Sequence, residues 1–255
     1  MATPAWQGFF GSAQLSRWNG AIPTRFACRA FKEPANLSQF SALEYAAAQC
    51  CLPGVRIALG RKNADKLLVT PPLFPKFDTA KQFAVVLFDP EVDMSRLHAG
   101  MSGEALTLEI TALELASCWV AGVIRRPLHK AFARENEKIA AVIPLGVPVD
   151  PEGARLRNRK PLNAFCPDDP ALWPLWAYQA GEAMRAAPSA MNRQPWHIGY
   201  AGQSLQFGAK QMNSLDAGIA LLHLECALHK MPRQWRYVDS KKSAIVQVEG
   251  GDDPV

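Results

Sequence analysis

In the stretch Ala187-Pro188-Ser189-Ala190-Met191-Asn192-Arg193-Gln194-Pro195-Trp196, prolines bracket a short polar sequence that lies between two apolar segments. Residues 174–187 carry apolar side chains at helical spacing, and Pro188 would end such a helix. Residues 196–200 alternate between apolar and polar side chains, which is typical of a strand with one buried face. The stretch therefore predicts a turn that offers hydroxyl, carboxamide and backbone N–H groups to a ligand. Because Ser, Asn and Pro are also ordinary turn residues, a purely structural turn is the alternative.

The rest of the chain predicts two similar sets of helices and strands. The second-half set is a helix over 174–187, strands over 196–200 and 205–207, a buried helix over 216–230 and a strand over 244–248. The first-half set is a helix over 37–52 that begins at Asn36 or Ser38, strands over 55–59 and 83–88, an apolar helix over 104–120 and a strand over 139–145. This similarity favours an internal duplication, and an ordinary α+β domain that reuses such units is the alternative.

We therefore predict an α+β fold with mixed β-sheets flanked by helices. The expected organisation is an N-terminal arm over 1–23, a first half over 24–150, a Pro-rich and charged linker over 151–172, and a second half over 173–255. Two short sequence parallels accompany the repeat, Leu52-Pro53-Gly54 with Ala187-Pro188-Ser189 and Leu113–Ala116 with Leu224–Ala227, but the residue identity is too low to fix its register.

Composition argues against several classes of protein. The 255 residues are 49% hydrophobic, enough for a substantial core, and the net charge of +5 is dispersed, without the basic and aromatic runs of nucleic-acid-binding proteins. The six cysteines form no Cys-x-x-Cys motif and the histidines show no metal-ligand spacing, so we expect buried thiols and no metal. Neither a leader sequence nor a membrane span is recognisable, so the expected location is cytoplasmic, with no membrane partner.

The opening stretch also has a specific order of residues. Pro188-Ser189-x-x-Asn192-x-Gln194-Pro195-Trp196 resembles the flavin-contacting loop of the FMN-dependent nitroreductase superfamily. In that family the loop opens onto a strand and reaches a cofactor held mainly by the other half of a dimer. The resemblance implies that Pro188, Ser189, Asn192 and Gln194 contact FMN.

The N-terminal signature of the family has a similar segment here. Residues 25–31, Arg-Phe-Ala-Cys-Arg-Ala-Phe, resemble its Arg-x-Ser-x-Arg/Lys-x-Phe pattern. The resemblance implies that Arg25 holds the phosphate and Arg29 the N1/O2 edge of the flavin, tasks that suit a guanidinium. Ala27 replaces the usual serine, so one hydroxyl contact is absent. Taken without the family, the two arginines would be ordinary surface charges.

Two more segments are similar to cofactor-binding segments of the family. Arg157 and Arg159 match a basic segment that supplies phosphate ligands, although as a bare run of charge it would be a solvated linker. Gly122, in Ser117–Gly122, matches a turn that presents backbone N–H groups to flavin N5 and O4. A glycine in this position is also a common helix C-cap.

The resemblance implies a divergent branch of the family, in which two nitroreductase-like units are fused in one chain as a pseudo-dimer with one FMN. The implied activity passes hydride from NADH or NADPH through flavin N5 to a nitroaromatic, quinone or similar acceptor, without a dedicated catalytic acid or base. We expect a monomer or a weak homodimer that acts on a small molecule. The alternative is a catalytically degenerate protein that binds flavin or is purely structural, which Phe26 and Ala27 in the phosphate signature motivate.

Overall fold

The computed structural model describes residues 8–62, 64, 76–77, 79–121, 126–152, 158–239 and 243–248. The chain forms two compact units, a central unit (Thr24–Arg157) and a terminal unit (Met1–Pro23 with Asn158–Val255). The described residues before Thr24 therefore belong with those that follow Arg157. Within the described ranges, no helix has the length and hydropathy that crossing a membrane requires.

The helices and strands are numbered in chain order. The helices are α1 (Ser12–Ala21), α2 (Leu37–Gln49), α3 (Ser95–Ala112), α4 (Arg126–Phe132), α5 (Leu175–Ala186) and α6 (Leu215–Ala227). The strands are β1 (Phe31–Glu33), β2 (Val55–Gly60), β3 (Gln82–Phe88), β4 (Ala116–Ser117), β5 (Lys138–Pro148), β6 (Trp196–Ala201), β7 (Ser204–Ala209), β8 (Arg233–Asp239) and β9 (Ser243–Val248). The α+β class expected from the sequence is confirmed.

Each unit contains one sheet. The central sheet has the strand order β1-β5-β3-β2, and β4 pairs with β5. The terminal sheet has the order β6-β7-β9-β8. All of these strand pairs are antiparallel, and a single parallel bridge joins Ala27 to Ser117.

The centre of the central sheet is β3, an almost continuous apolar run. Strand β3 is buried along almost its whole length because β2 and β5 flank it on both edges, α3 packs against it, and Phe83, Val85 and Leu87 lie in the core. Helix α2 places Phe40, Leu43 and Ala47 on one buried face. The helix begins at Asn36, whose Oδ1 accepts a hydrogen bond from Gln39 N (2.9 Å) while Asn36 N donates to Gln39 Oε1 (3.1 Å). This reciprocal cap decides between the two predicted start positions.

The long apolar helix of the first half lies elsewhere than predicted. The prediction of a helix over 104–120 was wrong at both ends, since α3 spans Ser95–Ala112. Helix α3 ends there because Glu114 adopts a left-handed conformation (φ 61°) and the chain then enters β4, with Val120 bridging to Val142. Its start lacked a signal because the first two turns are rich in Gly, Ser and His. Helix α3 is buried along almost its whole length.

The terminal unit contains two elements that the sequence did not reveal. Helix α1 lies in a segment of little periodicity, and it buries Leu15, Trp18 and Ala21. Ser12 Oγ donates to His229 O (2.9 Å) just beyond α6. Strand β8 also lacked a clear pattern. Helix α6, apolar on every face, is buried as expected.

The two units repeat an order of elements. A helix, two antiparallel strands, a buried helix and a further strand follow one another as α2-β2-β3-α3-β5 and as α5-β6-β7-α6-β9. In each unit a histidine on the buried helix donates from Nδ1 to a backbone carbonyl, His98 to Pro53 O and His223 to Ala183 O, both at 2.9 Å. The sequence parallel between Leu113–Ala116 and Leu224–Ala227 has no structural counterpart, because the first stretch follows α3 and the second ends α6.

Candidate functional site

The loop between α5 and β6 has an unusual backbone. Met191, Asn192 and Gln194 have positive φ angles of 51°, 54° and 52°, a left-handed conformation that costs free energy for residues other than glycine. Ser189 stabilises it twice, since its carbonyl accepts from Asn192 N (3.0 Å) and its Oγ accepts from Gln194 N (2.8 Å). Met191 is 76% exposed at the tip. The predicted turn is present, and it is held in one conformation.

Gln194 lies beneath this loop rather than on its surface. Its side chain is 2% exposed. Its Oε1 accepts a hydrogen bond from Lys160 N (3.1 Å) and its Nε2 donates to Arg185 O (3.2 Å). Both ends of the carboxamide are therefore hydrogen-bonded within the terminal unit. Gln194 links the loop to Lys160 in the basic segment and to Arg185 at the end of α5.

Asn192 joins the loop to the basic segment. Its Oδ1 accepts from Arg159 Nη1, and its Nδ2 donates to Asn158 O (2.6 Å). Arg159 Nη2 also donates to Ala186 O (3.4 Å). The structure therefore brings together two predicted site residues that are far apart in sequence, Asn192 and Arg159.

Two further residues that the sequence did not single out hold the loop. Asp216, in the first turn of α6, accepts from Ala190 N (3.0 Å) through Oδ1. Lys160 donates from Nζ to Arg193 O (3.0 Å). Pro188 is half-buried and follows Ala187, whose burial is complete. The sequence carries a signal for Asp216, because an acid in the first turn of a helix is well placed to accept hydrogen bonds from nearby backbone N–H groups.

In the central unit, Arg25 is a buried cation. Its side chain is 3% exposed, and its Nε lies 3.5 Å from Glu104 Oε1. Within the described part of the chain, the Arg25 guanidinium makes no hydrogen bond, and its buried Nε is left unpaired. Such an arrangement is uncommon because a buried guanidinium normally donates to several acceptors.

Arg29 lies on the same segment but is exposed. The segment joins the end of the β4 region, since Cys28 N donates to Ser117 O (2.9 Å). Burial raises the pKa of the Cys118 thiol, while the positive charges of Arg29 and Arg25 lower it in part. Both arginines therefore lie close enough to Cys118 to create a positive potential around this part of the sheet.

The segment that follows β4 is attached to α3 through Trp119. Its Nε1 donates to Glu104 Oε2 (2.8 Å). The backbone N–H groups of Cys118 and Val120 donate to Pro144 O (3.2 Å) and Val142 O (2.9 Å) in the sheet. Gly122, predicted at the end of this segment, lies outside the described residues, as does Arg157.

Other reactive side chains that the structure describes are not among the predicted site residues. A cleft of about 540 Å³ in the central unit is lined by Cys51, Gly54, Val55, Arg56, Asp89 and residues 134–137, none of them a predicted site residue. Arg56 is already paired there with Glu137. The six cysteines are free thiols, and the described residues contain no cluster suited to a metal ion.

Comparison with known proteins places this fold in a family. A family model described as "Putative TM nitroreductase" matches residues 19–228. A solved structure described as a "putative nitroreductase" from Thermotoga maritima has a TM-score of 0.69 and 19% identity, over 90% of this chain and 92% of that chain. No curated protein matches the sequence.

Other solved structures match about half of the chain. An "FMN-dependent Nitroreductase" from Clostridium difficile gives a TM-score of 0.44 at 14% identity, over 51% of this chain and 87% of that chain. A "Putative NADH Oxidase" from Clostridium acetobutylicum gives 0.47 at 20% identity, over 58% and 99%. At these TM-scores neither match bears on the assignment, whereas the family model spans most of the sequence. The chain belongs to this nitroreductase family.

Proposed function

We propose that the protein is an FMN-dependent oxidoreductase of the nitroreductase type. The observation that carries the proposal is Arg25, a buried guanidinium that makes no hydrogen bond within the described part of the chain. Glu104 supplies a countercharge but accepts no hydrogen bond from Arg25, and burying a guanidinium with open donors is costly unless a ligand supplies acceptors. The FMN phosphate is an anion of the right chemistry, because its oxygens accept parallel hydrogen bonds from a guanidinium.

The predicted site residues suit the chemistry of different parts of FMN. In the central unit, Arg25 would hold the phosphate and exposed Arg29 would stabilise negative charge at the N1/O2 edge. In the terminal unit, Arg159 would add positive charge, while Pro188, Ser189 and Asn192 would shape the loop against the ring. The buried position of Gln194 suits it to fix this loop rather than to touch the flavin. Gly122 and Arg157 remain further candidates by family resemblance.

When bound, FMN would supply hydride transfer from NADH or NADPH to a nitroaromatic, quinone or similar acceptor. The chain's residues would hold and orient it. We assign no acid or base to catalysis, since the residues around Arg25 and the loop include no nucleophile paired with a base.

We further infer that the repeated order of elements reflects an internal duplication, so that one chain imitates a dimer of smaller nitroreductases. The first-half counterpart of the loop, Pro53-Gly54-Val55-Arg56, has no Asn or Gln, which supports one FMN per chain. We propose that the protein is a cytoplasmic monomer or weak homodimer.

The absorbance spectrum of the purified protein tests this proposal. We expect a yellow protein with the visible bands of a flavin, and one FMN per chain after reconstitution. A colourless protein that does not bind added FMN would instead support the alternative of a structural module, which Phe26 and Ala27 motivate.

Replacing Arg25 tests the phosphate assignment. Arg25→Met keeps much of the side-chain volume but removes the charge, and we expect FMN to bind about 10- to 100-fold more weakly because a charge-assisted hydrogen bond is lost. Riboflavin, which lacks the phosphate, should bind nearly as well as to the wild type. Fluorescence titrations of both flavins measure the difference, and equal losses for both would reject this role.

A further inference from the structure

A single buried carboxylate links Arg25 to the Trp119 segment. Glu104 on α3 is fully buried, and its Oε2 accepts hydrogen bonds from Trp119 Nε1 and from Thr107 Oγ1, both at 2.8 Å. Its Oε1 lies 3.5 Å from Arg25 Nε. A side chain at Gly103 would bring its Cβ within 2.4 Å of Trp119 Cη2, so the indole lies directly on the helix. Helix α3 thus packs against Trp119, accepts a hydrogen bond from it, and provides a countercharge for Arg25.

The Arg25 pair differs from the Arg56–Glu137 ion pair of the same unit. Arg56 contacts Glu137 through two nitrogens and also donates to Phe132 O, so much of its hydrogen-bonding capacity is used. Arg25 is more deeply buried, yet its nearest contact to Glu104, 3.5 Å from Nε to Oε1, is not a hydrogen bond. Glu104 therefore neutralises Arg25 without saturating the guanidinium.

We propose, building on the function proposed above, that Glu104 is a positioning residue of the flavin site. It keeps the Arg25 guanidinium buried and compensated in the ligand-free protein, and it leaves the terminal nitrogens for the oxygens of a phosphate. Through Trp119 it also fixes the segment that precedes Gly122. A carboxylate with a purely structural role would instead be expected to accept hydrogen bonds from its arginine, as Glu137 does from Arg56.

A double-mutant cycle tests this role. Thermal midpoints are measured for the wild type, Glu104→Gln, Arg25→Met and the double variant, each without ligand and with FMN, riboflavin or inorganic phosphate. Glu104→Gln should lower the ligand-free midpoint by about 10 °C, because it leaves a buried cation without a countercharge. Adding Arg25→Met should recover more than half of that loss, since the uncompensated charge is then removed.

Midpoints measured with the added ligands distinguish a positioning role of Glu104 from a purely stabilising one. FMN should raise the midpoint of Glu104→Gln by more than it raises that of the wild type, because the phosphate becomes the missing countercharge. Inorganic phosphate should act in the same direction, and riboflavin should not. The matched control is Glu114→Gln, an exposed glutamate just beyond α3 whose replacement should leave all midpoints unchanged.

Three results would overturn the proposal: a Glu104→Gln midpoint equal to that of the control, no recovery in the double variant, or equal stabilisation of Glu104→Gln by FMN and riboflavin. Failure of the proposed role of Glu104 can be distinguished from failure of the proposed function. If the wild type bound neither flavin, the function would fail, while the ligand-free cycle and the phosphate arm would still measure whether Glu104 compensates Arg25 and leaves it open to an oxyanion.

Discussion

Protein that carries Asn192→Ala together with Gln194→Ala is expected to purify without FMN. Gln194→Ala removes the hydrogen bonds from Lys160 N and to Arg185 O, each worth about 0.5–1.5 kcal/mol. Asn192→Ala removes the contact to Arg159. Fewer hydrogen bonds then stabilise the left-handed backbone of the loop. Its conformation and the flavin contacts should therefore be lost together. Flavin absorbance per chain is the measurement.

The same loop offers a matched control for this experiment. Met191 also has a positive φ, but its side chain is 76% exposed, so Met191→Ala should retain full FMN occupancy. Circular dichroism of the double variant checks that the fold persists. Full occupancy in a folded double variant would show that the loop does not hold the cofactor.

Glu225→Gln is expected to stabilise the protein above neutral pH. Burial raises the pKa of this fully buried carboxyl from 4.5 to about 7, against the lowering effects of Arg233 and of the hydrogen bond from Phe9 N. The folded state then keeps a proton that the unfolded state loses above pH 4.5. The contribution to stability is therefore complete below pH 4.5 and is lost as the pH rises to about 7.

Glutamine mimics the protonated carboxyl at every pH. At pH 8 the variant should exceed the wild type by about 3 kcal/mol in free energy of unfolding, and the difference should vanish near pH 4. Urea denaturation across this range measures it. Glu135→Gln, at an exposed position, is the control. A constant difference between pH 4 and pH 8 would contradict the shifted pKa.

The sequence predicted those elements whose pattern is local. The period-two alternation of β6 and the Pro-bounded end of α5 depend on neighbouring residues, and both elements lie where they were expected. Helix α1 was missed because it packs against α6, almost 200 residues later in the chain. The start of α3 was missed for a related reason, since its Gly- and Ser-rich turns are buried by tertiary contacts and not by an apolar stripe of their own.

The candidate site shows the same limit. Motif order pointed to Asn192, Gln194 and Arg25, but it could not say which of their polar atoms are already used. Gln194 and Asn192 look alike in sequence, yet one is buried with both ends engaged and the other is exposed. Glu104 carried no signal, because a glutamate in an apolar helix reveals its partner only when distant segments pack against it.

The central claim is that this chain uses bound FMN to carry hydride. Anaerobic addition of NADH or NADPH to the FMN-loaded protein, followed by a nitroaromatic or a quinone, tests it most directly. One of the two nucleotides should abolish the visible flavin absorbance, and the acceptor should restore it. If FMN is bound but neither nucleotide changes its absorbance, the protein is not an oxidoreductase of this type.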